Sequence, residues 1–198
     1  MLGQSKFQSA FDNIYKTKVW GTIENNPASG GGSEPCDGLA YLLYLQHLIS
    51  RPDIYSIVEI GFGDWEMEQH LILENKSYTG FEVASAVMRK DEYNTEYRLI
   101  TGVQEVRERA DLIIIRDVMQ HWPRKDIQYA MKYLLPRFKY GFLTNDHTDS
   151  TEPLSDIEPG NWRQINIGLF PNVERVAAVE YVGNTKVSFL YTNPELKE

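Results

Sequence analysis

Residues 58–70 read VEIGFGDWEMEQH, a run in which side chains able to do chemistry follow closely on an apolar stretch. Glu59 stands two positions before Gly61, Gly63 follows, and Glu82 closes the next apolar run. Glycines at such a place permit tight turning and close approach of a ligand. A carboxylate at the tip of a second strand can accept hydrogen bonds from both hydroxyls of a ribose. Together these residues point to a nucleoside-bearing cofactor. Singly they are weaker: Glu59 can cap backbone amides, Glu82 can be a solvated strand end, and Gly-x-Gly occurs in turns that bind nothing.

The third position of the loop separates the cofactors. A diphosphate fingerprint G-x-G-x-x-G needs glycine at 66, where this chain has Glu66. A carboxylate at the start of the following helix repels a diphosphate. S-adenosylmethionine (SAM) carries a sulfonium and an amino-acid head instead, and aromatic faces and carboxylates both attract cations. SAM is therefore the expected cofactor. A nicotinamide-dependent oxidoreductase is the alternative, and a non-catalytic SAM-binding protein is a further one.

Methyl transfer to a hydroxyl gains from a positioned base, and the chain has four histidines: His47, His70, His121 and His147. His47 lies in an apolar helical stretch and His70 after the glycine loop, so both are expected to be structural. His121 follows the fourth strand and is the candidate general base; the competing role is a hydrogen-bonded histidine that fixes the loop at Asp117. On the acceptor side stand Asn145, Asp146 and His147 after the fifth strand, with Trp162 to stack on an acceptor ring and Arg163 to hydrogen-bond it. Trp162 as a core plug and Arg163 as a surface ion pair are the alternatives. Hard cations prefer oxygen ligands, and Asp117 with Asp146 can supply them; a divalent metal is possible but not favoured, and no metal ligands are assigned.

These groups need a scaffold. GLAYLLYLQHLIS (38–50) has Leu39, Leu42, Leu43, Leu45, Leu48 and Ile49 at helical spacing, with Ser33 as its cap. Short apolar runs follow at 55–60, 78–83, 97–100, 111–115 and 140–144, separated by helix-compatible stretches, the clearest at 125–135 with Ile127, Ala130, Met131 and Leu134 on one stripe. Little polar alternation inside the runs implies a parallel sheet covered on both faces. Residues 174–181 and 186–192, joined around Gly183-Asn184, read as an antiparallel hairpin. The fold class is α/β, a mostly parallel sheet with a C-terminal antiparallel hairpin, in one domain spanning 1–198. Residues 145–173 form a long irregular stretch that Trp162, Ile165, Ile167, Leu169 and Phe170 can pin down.

The composition narrows the class. With 198 residues and 42% hydrophobic content the chain can build one sizeable core. A net charge of −8 disfavours nucleic acid and anionic membrane as partners, and Arg107, Arg109, Arg116, Arg124 and Lys125 are expected to be solvated surface. A nucleic-acid methyltransferase is disfavoured by a pI of about 5.1. Cys36 is the only cysteine, so no intrachain disulfide can form. No run has the length of a membrane span, and the start lacks the apolar run of a signal peptide. A soluble protein of a reducing compartment, the cytoplasm, is expected.

The ordered series FDNIYKTKVWG, SGGGS, VEIGFGDWE, YTGFEV, DLIIIRDVMQHWP, FLTND and PGNWRQINI resembles the class I SAM-dependent methyltransferases. Within them it looks like small bacterial and viral enzymes whose glycine loop reads GDW. That resemblance implies a Rossmann-like fold and an O-methyltransferase acting on a sugar, glycan or related small hydroxylated acceptor. It implies that Glu59, Gly61 and Gly63 line the amino-acid part of SAM, that Glu82 takes the ribose hydroxyls, and that Phe81 or Val83 packs near the adenine. Gly102 and Val103 would border the base, and Asp117 and Val118 would face the cofactor. Trp20 and the segment Ser29–Ser33, within an N-terminal stretch 1–36, would fold over the methionine end as a lid. The chain departs from the broader pattern at Trp65, in place of a glycine, and in having no acidic residue after the third strand for the adenine amine.

Overall fold

The computed structural model describes residues 5–30, 38–90, 94–181 and 184–196. Helix α1 (Lys6–Lys16) opens them, and the sequence signal for it is a capping box. Ser5 Oγ accepts the Gln8 amide at 3.1 Å while Gln8 Oε1 accepts the Ser5 amide at 3.3 Å. Strands β1 (Thr22–Ile23) and β2 (Asn26–Pro27) make a minimal hairpin. Its turn residues Glu24 and Asn25 both have positive φ, as a two-residue hairpin turn demands.

Helix α2 (Leu39–Ile49) buries Tyr41, Leu42, Leu45, Leu48 and Ile49. Its apolar face is narrower than the leucine count suggests: Leu39 and Leu43 are exposed. Gly38 occupies the N-cap without a side-chain bond, so the helix does not start at Ser33, which lies outside the described residues.

Seven strands follow: β3 (Ser56–Ile60), β4 (Ser77–Glu82), β5 (Thr95–Leu99), β6 (Ala110–Arg116), β7 (Phe138–Asp146), β8 (Val173–Tyr181) and β9 (Asn184–Thr192). Their order in the sheet is β5-β4-β3-β6-β7-β9-β8. The first five are parallel; β9 runs antiparallel between β7 and β8. The expected α/β class, mainly parallel sheet and terminal hairpin are all present, although Gly183 in the expected turn lies outside the described residues. The chain moves outward from β3 to β5 and returns at β6, which makes the β3–β6 boundary a topological switch point where ligands settle at the carboxyl ends of the strands.

Both faces of the sheet are covered. Along β6, Leu112 and Ile114 pack with α2, whereas Ile113 and Ile115 pack with helix α3 (Arg124–Tyr129) and the turns after it. All four are fully buried, each contributing roughly 1.5–3 kcal/mol of transfer free energy. Helices are scarcer than the pattern suggests. Among the described residues, the β6–β7 connection is the only one between strands of the large sheet to carry an α-helix, which widens into a π-helical turn at Ala130–Leu134. The connection after β3 holds just one helical turn, Glu68–His70. Gly61, Gly63 and Trp65 all take positive φ there, which right-handed helix excludes. No helix among the described residues is long and apolar enough to cross a membrane.

Candidate active site

A cavity of about 250 Å³ opens at the carboxyl edge of the parallel strands. Its floor is the glycine loop and the tips of β4 and β6; its cover comes from α1 and the segment after it. Glu59, Gly61, Gly63, Phe81, Glu82, Val83, Val103, Asp117, Val118 and Trp20 all line it. Gly102 does not, and Ser33 lies outside the described residues.

The two glycines are needed for a reason not foreseen. At Gly61 (φ +76°) a Cβ would overlap a methyl of Val118, and at Gly63 (φ +61°) it would overlap Ser29 Oγ. The room they leave is thus taken by neighbouring protein segments. Ser29 and Asp64 exchange two bonds, Ser29 N to Asp64 Oδ2 at 2.6 Å and Asp64 N to Ser29 Oγ at 3.0 Å. Tyr15 OH meets Ser29 Oγ at 2.9 Å. The N-terminal segment is clamped onto the loop by residues the sequence reading had left without individual roles.

Glu82 is buried, not a solvated strand end. Its Oε1 accepts the amides of Val83 (2.7 Å) and Ala84 (2.9 Å), and its Oε2 accepts that of Gly63 (3.1 Å). Burial pushes its pKa up, and these three amides pull it back. A carboxylate offers about four acceptor positions, so Glu82 keeps room for about one further hydroxyl rather than two. Glu59 is also buried, and accepts from Tyr78 OH at 2.6 Å instead of capping amides. Burial and the neighbouring Glu68 carboxyl raise its pKa well above the usual carboxylate range. Burial raises Glu68 to about 7, against the pull of Arg116. Arg116 is itself buried over the Tyr41 ring, not solvated surface.

The acidic character of the loop is real but sits on other residues. Glu66 does not line the cavity; its carboxylate accepts from the Gln69 side chain at an exposed place. Asp64 and Glu68 face inward in its stead, because the expected helix does not form there. With Glu59, Glu82, Asp117 and Asp146 they make six carboxylates against the two cations Arg116 and Lys186.

His121 lines the cavity and is buried. Its Nδ1 lies 3.0 Å from the Asn161 carbonyl, which can only accept, so the ring proton sits on Nδ1 and Nε2 keeps its lone pair. Gln120 Nε2 is 3.5 Å from that lone pair. Trp20 and Phe11 pack on the ring at 5.2 and 6.2 Å between centroids. Burial lowers the imidazole pKa below 6.5; the Asn161 carbonyl, Asp117 and Asp146 oppose that shift. His47 and His70 are exposed and lie outside the cavity.

The acceptor-side set divides. Asp146 and Trp162 line the cavity, joined by a 2.8 Å bond from Trp162 Nε1 to Asp146 Oδ2. Trp162 is half-exposed, not a core plug. Asn145, His147 and Arg163 do not line it. Asn145 Oδ1 accepts the Gln120 amide at 3.1 Å and so steadies the turn bearing His121. His147 pairs with Asp149 at 3.0 Å and packs on Phe189. Arg163 is buried and donates to the Trp122 carbonyl at 2.6 Å. Lys186 was missed. Its ammonium lies 2.6 Å from Asp117 Oδ1 and 3.1 Å from Asp146 Oδ1.

Neither a protein-family model nor a curated protein sequence matches the chain. Solved structures do match in fold. Magnesium protoporphyrin IX methyltransferase (ChlM) from Synechocystis PCC 6803, with bound S-adenosylhomocysteine (SAH), aligns at 8% identity with a TM-score of 0.65, over 93% of this chain and 98% of that one. The N-terminal domain of EvdMO1, in the presence of SAH and D-fucose, aligns at 12% identity and a TM-score of 0.57, over 97% and 99%. The mitomycin 7-O-methyltransferase MmcR aligns at 12% identity and 0.57, over 96% of this chain and 61% of that one. The chain therefore shares the Rossmann-like fold of these methyltransferases.

Proposed function

We propose that the chain is a SAM-dependent O-methyltransferase that modifies a hydroxyl of a sugar, glycan or related small acceptor. The observation that carries this reading is the acidic cavity at the switch point with the Nε2 of a buried neutral histidine on its wall. Burial holds the proton on Glu59 and raises Glu68 to about 7, but Asp64, Glu82, Asp117 and Asp146 still outnumber the two cations, which disfavours a nicotinamide diphosphate and favours a ligand bearing positive charge. Glu59, Asp64 and Glu68 would hold the amino-acid end of SAM, Glu82 one ribose hydroxyl, and Phe81, Val83, Ile100 and Val103 the adenine. The last four belong to one apolar cluster. When bound, SAM supplies a methyl group on a positively charged sulfur.

The protein's own work is alignment and proton removal. His121 Nε2 would take the acceptor's hydroxyl proton as the oxygen gains the methyl and the carbon–sulfur bond breaks, leaving a neutral thioether, and the imidazolium so made would be favoured by Asp117 and Asp146. Trp162, held by its N–H on Asp146, offers an aromatic face to the acceptor ring. The neighbour crystallised with SAH and D-fucose supports a sugar as that acceptor. Residues 1–36 would act as a lid and 145–173 as the acceptor side.

Calorimetry with SAH and with NAD, followed by transfer of labelled methyl from SAM to a panel of sugars and glycans, tests the reading. SAH binding with label on a hydroxyl is the expected result. Tight NAD binding without SAH binding would overturn it, and SAH binding with no transfer to any acceptor would leave a binding protein only.

A further inference from the structure

Lys186 is placed by the sheet. The antiparallel pairing of β7 with β9 sets Asp146 directly opposite Lys186. Asp117 stands at the end of β6 on the other side of β7, so the ammonium bridges the tips of two parallel strands. The second oxygen of each aspartate also faces a neighbour: Asp146 Oδ2 accepts from Trp162 at 2.8 Å, and Asp117 Oδ2 lies 3.5 Å from the Arg116 guanidinium. All three groups of the bridge line the cavity beside His121. Two carboxylates drawn together by one compact cation form the arrangement that hard divalent ions make with oxygen ligands, and an ammonium is such a point charge.

We propose that Lys186 is a built-in cation that positions Asp117 and Asp146 for the acceptor in the way a divalent ion would, and that removing it turns the pair into a divalent-cation site. The acceptor half of this rests on the methyltransferase reading; the cation half does not.

The test uses Lys186→Ala and Lys186→Gln, each checked for folding by circular dichroism, with terbium as the cation probe. Tb³⁺ prefers oxygen ligands and emits on energy transfer from a nearby indole, and Trp162 is bonded to Asp146. Sensitised emission at a fixed metal concentration is expected to rise roughly tenfold over the unsubstituted protein, with a dissociation constant on the order of 1 mM or tighter. Adding Asp146→Asn should abolish the gain. In a transfer assay the unsubstituted protein should be indifferent to EDTA. Lys186→Ala should lose activity roughly tenfold and recover part of it with Mg²⁺. Folded variants that bind no more terbium than the parent would overturn the proposal. So would a parent protein whose own terbium binding vanishes in Asp117→Asn. If no protein transfers methyl at all, the methyltransferase reading fails, while the emission experiment still decides whether Lys186 stands in for a cation.

Discussion

Gly63 gives its amide to the carboxylate of Glu82 at 3.1 Å, tying the glycine loop after β3 to the tip of β4. That bond closes the floor of the cavity from two strands whose residues are 19 apart in sequence. Glutamine at 82 has one accepting oxygen. If it serves Val83 and Ala84, its NH2 group confronts the Gly63 donor. Glu82→Gln is therefore expected to lower stability by about 1–3 kcal/mol, the usual cost of a buried unsatisfied donor. SAH affinity should fall with it. Urea unfolding of the free protein and calorimetry with SAH would check both, and an unchanged pair of values would remove Glu82 from the site.

Gly61→Ala should strain the same loop in two separable ways. A residue with a Cβ at φ +76° costs about 1–2 kcal/mol, and that Cβ also overlaps Val118. Val118→Ala relieves the second effect and not the first. In a double-mutant cycle the two substitutions should couple by about 0.5–3 kcal/mol. Strict additivity in thermal unfolding would show that the loop moves aside instead.

His121 must be neutral to accept a proton, and burial holds its pKa below 6.5. Activity should therefore rise with pH through a value below 6.5 and be level above it, up to any later titration. His121→Ala should cut kcat by about 10²–10⁴-fold and erase that acidic limb. His121→Asn retains a group able to donate to the Asn161 carbonyl and is expected to keep the fold without restoring the rate. A His121→Ala enzyme with the parental pH profile would leave the histidine as a loop anchor only.

Most of the sheet was legible because its information is local. The runs at β3, β6 and β7 have short apolar centres, and their length and flanking turn residues mark them as strands buried on both faces. The site was legible where a residue lies at a strand tip: Glu59, Gly61, Gly63, Glu82, Asp117 and His121 all reach the cavity. What was missed depends on contacts between distant segments. Lys186 owes its place to β9 inserting beside β7, which no local pattern announces. Asp64 and Glu68 replaced Glu66 because Trp65 at φ +71° keeps the loop out of helix, reorienting every side chain after it. Asn145 and Arg163 looked like acceptor contacts by composition, yet neither lines the cavity: Asn145 Oδ1 is turned to the Gln120 amide and Arg163 Nη2 to the Trp122 carbonyl.

Glu68 offers a pH signature that owes nothing to turnover. Burial raises it from 4.5 to about 7, and Glu59 beside it is raised too. A carboxyl whose folded pKa exceeds its unfolded one binds its proton more tightly in the native state. Its contribution to stability is thus complete below about pH 4.5 and declines as pH rises through about 7, since native protein must then carry a buried charge or release it by unfolding. Glu68→Gln keeps the shape and removes the titration, so its melting temperature should be flatter than the parent's between about pH 5 and about pH 8. A cationic ligand would favour the ionised pair, so SAM, with its positively charged sulfur, should bind the parent more tightly as pH rises across that window, with a weaker trend in Glu68→Gln and in neutral-sulfur SAH. Parallel melting curves for the two proteins would mean that Arg116 already holds Glu68 ionised at pH 5.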